Sequence, residues 1–202
     1  MVVQIFFFIV AALFLQTNNE KTILFFGDSL TAGYGLSPEE AFPALVEKAL
    51  IKSGEKVKVV NAGLSGETSA GGLSRIDWIL RQPVEIFVLE LGANDGLRGL
   101  PLAQTRKNLQ TIIDKVKAKN PHCKIILAGM KVPPNMGLEY TQEFEKLFPD
   151  LSKKNHATLL PFLLEDVGGI ERLNQADGIN PTPEGHQIIA NNLVKIIAPL
   201  LK

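Results

Sequence analysis

Short apolar runs alternate with longer amphipathic stretches along nearly the whole chain, and this constrains the fold more than any other feature. Residues 22–26, 57–61, 84–91, 124–128 and 158–161 are rich in β-branched, leucine and aromatic residues and are predicted as strands. Several are apolar at successive positions, as strands must be when helices cover both of their faces. Between them, residues 39–52, 69–81, 102–119, 138–154 and 184–200 repeat apolar positions at helical spacing. Ser37-Pro38-Glu39-Glu40 reads as an N-cap followed by a first-turn proline and first-turn acids. Ser65-Gly66-Glu67-Thr68 offers a cap to the next helix. Alternation at these lengths predicts an α/β protein, a three-layer α/β/α sandwich around a parallel sheet with right-handed crossovers. The chain has 202 residues, 46% of them hydrophobic, and no linker or repeat interrupts the pattern. One domain over residues 21–202 is therefore expected.

The first 20 residues stand apart. Residues 1–15 are almost wholly apolar, and 16–21 turn polar. Fifteen residues fall short of the roughly 20 that a membrane span needs, so no stable span is expected. The length suits the apolar region of an export signal, which would place the protein in the periplasm. No Lys or Arg precedes the run, however, and no clean small-x-small cleavage site follows it. The alternative is a helix packed on the body or on a partner, in a cytoplasmic protein.

Charge narrows the function. Lysine plus arginine and aspartate plus glutamate each total 21, and no basic stripe offers itself to nucleic-acid phosphates. Cys123 is the single cysteine, so no internal disulfide can form and no Cys/His cluster suits a structural zinc.

In such sheets ligands bind where strands end and helices begin. The first strand runs into Gly27-Asp28-Ser29-Leu30, the second into Asn61-Ala62-Gly63, the third into Gly92-Ala93-Asn94-Asp95, and Asp177-Gly178-Ile179-Asn180-Pro181 precedes the last helix. Each alone admits a plain turn reading. Neither a G-x-G-x-x-G nor a G-x-x-x-x-G-K-[ST] pattern follows the first strand, so a nucleotide site is disfavoured.

Taken in order, these four blocks resemble those of the SGNH (GDSL) hydrolase family. The strings 92–101, 133–137 and 160–185 resemble the thioesterase I/lysophospholipase/arylesterase branch in particular, and the likeness runs over residues 22–200. It implies a flavodoxin-like sheet of five parallel strands and hydrolysis of small-molecule acyl esters or thioesters without metal or nucleotide cofactor. By the same resemblance Ser29 is the nucleophile. The oxyanion hole is then the N–H of Ser29, the N–H of Gly63 and the side-chain amide of Asn94. Asp177 would orient the base and stabilise its protonated form. Asp28 and Asp95 read as structural.

One residue departs from the pattern. The family's last block is Asp-x-x-His, and this chain has Asn180 at the histidine position. A carboxamide does not accept a proton near neutral pH and cannot act as general base. His122 and His156 precede the fourth and fifth strands, at the amino edge, and His186 falls within the last helix, where packing or capping is expected. Two explanations compete: a substitution introduced into an active enzyme, or a natural chain that binds acyl groups without turning them over. Retention of Ser29, Gly63, Asn94 and Asp177 favours the first. For the acyl chain, Leu97, Leu100, Pro133, Pro134, Met136 and Ile179 are the candidate lining, methionine being adaptable to varied chains.

Overall fold

The computed structural model describes residues 20–202, so the expectations for the apolar segment 1–15 lie outside the described residues. Five parallel strands form one sheet in the order β2-β1-β3-β4-β5. They are β1 (Lys21–Gly27), β2 (Val57–Gly63), β3 (Ile86–Glu90), β4 (Lys124–Ala128) and β5 (Thr158–Leu160). All five residues of β3 are buried, as expected for the apolar run Ile86–Leu89 in a strand covered on both faces, and the burial extends to Glu90.

Helix α2 (Phe42–Lys52) packs on α7 (Pro183–Leu200) in one layer. In the other, α5 (Leu102–Lys119) packs between α3 (Ser69–Ile79) and α6 (Leu138–Asn155). Phenylalanines fill the space between: Phe25 meets Phe42 edge-on at 5.6 Å between centroids, and Phe26 lies 5.7 Å from Phe87. No helix among the described residues is long and apolar enough to cross a membrane.

The register brings the chemistry together. Gly27 pairs with Gly63 on one side and with Glu90 on the other, so the three strand ends lie abreast under the Ser29 turn. Two short helices occupy that edge, α1 (Ser29–Ala32) and α4 (Ala93–Leu97). The expected cap at Ser37 forms, but on a separate 3-10 turn, Pro38–Glu40, where Glu40 Oε2 accepts from Ser37 N and Oγ at 3.1 and 2.9 Å. Ala41 then runs extended, so α2 starts at Phe42 rather than at 39. Thr68 caps α3 by accepting from Gly71 N at 3.3 Å.

Candidate active site

Asp28 sets the local geometry. It is the N-cap of α1, with Oδ1 accepting the Leu30 N–H at 3.0 Å, and this places Ser29 at the first position of the turn. Its other oxygen accepts one N–H of the Asn94 amide at 3.0 Å, leaving the second N–H of that amide available. Asp95 faces away from the cavity into a polar cluster. It accepts from Ser69 N and Oγ at 2.7 and 2.5 Å and from Thr105 Oγ1 at 3.1 Å. That cluster ties α4 to the starts of α3 and α5.

From the far end of the chain comes the 177–180 loop. Asp177 Oδ1 accepts the backbone N–H groups of Ile179 and Asn180, both at 2.9 Å, and Oδ2 accepts Asn180 Nδ2 at 2.7 Å. The Asn180 side-chain amide and then its backbone amide hold the Asp177 carboxyl below its ordinary pKa. Asn180 is only 8% exposed.

Ser29, Asn94, Asp177 and Asn180 line one cavity of about 730 Å³, a size suited to a small-molecule ligand. Leu97, Pro133, Pro134 and Ile179 line it too, with Met130 and Val132. Three expected members, Gly63, Leu100 and Met136, are not among the residues that line the cavity. Gly63 lies beside the Ser29 turn, level with Gly27, and its N–H donates to Asn61 Oδ1 at 3.0 Å. The loop at Leu100 is held toward α6 by the Tyr140 hydroxyl, which donates to the Leu100 carbonyl at 2.9 Å. Met136 packs against the core instead.

Tyr34, Phe162 and Leu164 also line the cavity and carry no motif. Phe162 and Leu164 follow β5, so the carboxyl-edge rule applied to the fifth strand would have found them. Tyr34 is placed by the positive φ of Gly33 and Gly35 on either side, which the sequence does not announce.

His186 is no base for Ser29. It is 1% exposed, its Nδ1 accepts the Phe42 N–H at 3.0 Å, and its ring stacks on Phe42 at 5.7 Å. Burial pushes its pKa down to about 4. No group of three or more His, Cys, Asp or Glu side chains that could hold a metal ion occurs among the described residues.

Known proteins share this arrangement of elements. The sequence is 38% identical over 190 residues to the esterase TesA of Pseudomonas aeruginosa, covering 94% of each chain. It is 40% identical over 181 residues to thioesterase 1/protease 1/lysophospholipase L1 of Escherichia coli strain K12, covering 89% of this chain and 85% of that one. A crystal structure of TesA superposes with a TM-score of 0.84 at 38% identity, over 89% of this chain and 99% of that one. Residues 25–188, from the end of β1 into α7, match the GDSL-like lipase/acylhydrolase family, and with this fold and these relatives the chain belongs to that family.

Proposed function

We propose that the chain carries a serine esterase/thioesterase site for small-molecule acyl esters or thioesters, slowed severely by Asn180 in the position of the base. The observation that supports this reading best is the Asp177–Asn180 pair, joined at 2.7 Å in the cavity that Ser29 and Asn94 also line. The esterase and thioesterase relatives support the substrate class.

Ser29 Oγ attacks the acyl carbonyl, and the developing oxyanion takes hydrogen bonds from Ser29 N–H and the unused N–H of Asn94. Gly63 N–H joins them once it leaves Asn61. A serine hydroxyl is a weak nucleophile until a base removes its proton. Asp177 is in place to orient such a base, but Asn180 cannot take the proton or return it to the leaving group.

In subtilisin, loss of the histidine costs roughly a millionfold in kcat, while the oxyanion hole and binding retain about 10³–10⁴ over water. Asn180→His is therefore expected to raise turnover of a short p-nitrophenyl ester by at least roughly 10³, mainly in kcat. The gain should vanish when Ser29→Ala is added. A folded Asn180→His variant that stays inactive overturns the assignment.

Asn180 itself favours one other reading, an acyl-binding protein without turnover. Bound fatty acid with no turnover after Asn180→His would establish that instead. A carbohydrate O-acetylesterase of the same family fits less well, because Leu97, Met130, Val132, Phe162 and Leu164 give the cavity more apolar wall than an acetyl group needs. Rates across p-nitrophenyl esters of increasing chain length separate the two: a fall from acetate upward would favour the O-acetylesterase.

A further inference from the structure

Beneath the Ser29 turn lies a carboxyl pair that the proposed chemistry leaves unused. Glu90 ends β3 and is 0% exposed, and Asp28 is 1% exposed. Glu90 Oε2 is occupied: it accepts from Asp28 N at 3.1 Å and from Thr31 Oγ1 at 2.8 Å. Glu90 Oε1 is buried and accepts no hydrogen bond from an N–H or hydroxyl group. Asp28 is the carboxyl beside it: its backbone N–H meets Glu90 Oε2, and its charge bears on Glu90. Gly27 permits this closeness, because a Cβ there would run into the Glu90 carboxyl and the Thr31 hydroxyl.

Two buried carboxylates in contact cannot both be ionised at modest cost. A proton on one of them removes the repulsion and supplies the missing donor. Oε1 is closed to solvent, so a neighbouring side chain is the available partner rather than bulk water. The charge must rest on Asp28, because its two oxygens each accept an N–H, from Leu30 and from Asn94. Glu90 accepts on one oxygen alone and can carry the proton on the other.

We propose that Glu90 and Asp28 hold one proton between them, carried on Glu90 and donated to Asp28, and that the Asp28 carboxylate so fixed aims the Asn94 amide into the cavity. Glu90 is then a positioning residue, acting through Asp28 on Asn94. Its bearing on catalysis rests on the reading of Asn94 given above; the shared proton does not.

Other charges agree with this arrangement. Glu67, from the loop before α3, acts on Asp28 electrostatically, but Arg75 of α3 pairs with it, Nε to Oε1 at 2.6 Å. Lys131 and Asp177 are the other charged residues lining the cavity with Asp28. Burial pushes the Asp28 carboxyl up to about 6, and burial together with the Asp28 charge pushes Glu90 well above the usual carboxyl range.

The test uses the protein as it stands, with Asn180 present, and requires no turnover. An infrared spectrum at about pH 7.5, above the ordinary glutamate range, should contain the C=O stretch of a protonated carboxyl. Glu90→Gln should remove that band. The side-chain amide resonance of Asn94 should titrate with Asp28, near the value of about 6. Glu90→Gln keeps an N–H donor for Asp28 and should leave this midpoint nearly in place, whereas Glu90→Leu should drive it upward. Absence of the protonated-carboxyl band, or its persistence in Glu90→Gln, overturns the shared proton even if Glu90→Leu does not fold. An Asn94 resonance indifferent to pH overturns the positioning role. Neither result depends on whether Asn180→His restores hydrolysis.

Discussion

His186 is the histidine nearest in sequence to Asn180, and burial gives it a task remote from Ser29: it accepts the first N–H of α2. Its ring stays neutral where an ordinary histidine would charge. In the unfolded chain the residue takes up a proton near its ordinary value of 6.5, but in the folded protein only near 4. The unfolded state thus binds more protons between these values, and stability falls as pH falls through that window. Glutamine can still accept the Phe42 N–H and does not titrate. His186→Gln is therefore expected to lose less stability than the parent between about pH 7 and about pH 4.5, as read from urea unfolding at each pH. Equal losses in the two proteins would contradict this account of His186. Asp28 and Glu90 act with the opposite sign. Their folded pKa values are raised, so the stability they contribute is present in acid and lost as pH rises from the ordinary carboxyl range through the raised values.

At the scale of elements, the end of β2 meets α1 with no room to spare. A Cβ on Gly63 would lie 2.7 Å from Ala32 Cα and 2.7 Å from the Thr31 carbonyl carbon, far inside van der Waals contact. Gly63→Ala must push α1 away from the sheet, and overpacking of this kind costs about 1–3 kcal/mol. A lower urea midpoint with an unchanged m-value is expected, and an unchanged midpoint would mean that the turn yields freely. The contact also shows where sequence reading stops. The five strands and five long helices were legible because periodicity and apolar runs are local properties of the chain. Ser29, Asn94 and Asp177 were legible as candidates because their motifs keep a fixed order. Helices α1 and α4 were not, since four or five residues are too few to show a helical period. Nor was the setting of Glu90. Periodicity says nothing of one acid at the end of an apolar strand, and the groups packed against it, Gly27 at the end of β1 and then Asp28 and Thr31, come from another part of the chain.

For the whole molecule, the described residues close both faces of the sheet by themselves: α2 and α7 on one, α3, α5 and α6 on the other. A chain shortened to begin at Glu20 is accordingly expected to unfold in a single cooperative urea transition with a midpoint close to that of the full chain. Aggregation, or a broad transition, would show that residues 1–19 belong to the core or to an interface.

The packing of α7 on α2 sets an order of events during synthesis. The ribosome makes Ser29 before it makes the Asp177 loop. That loop is held by the return of the chain into α7, whose His186 must find the first turn of α2. Until it does, a nascent chain can present the serine turn without Asp177 and Asn180 across from it. The cavity that Ser29, Asn94, Asp177 and Asn180 line is therefore assembled only after the 177–180 loop has emerged, so a nascent polypeptide that stops short of it holds the serine turn beside an incomplete wall.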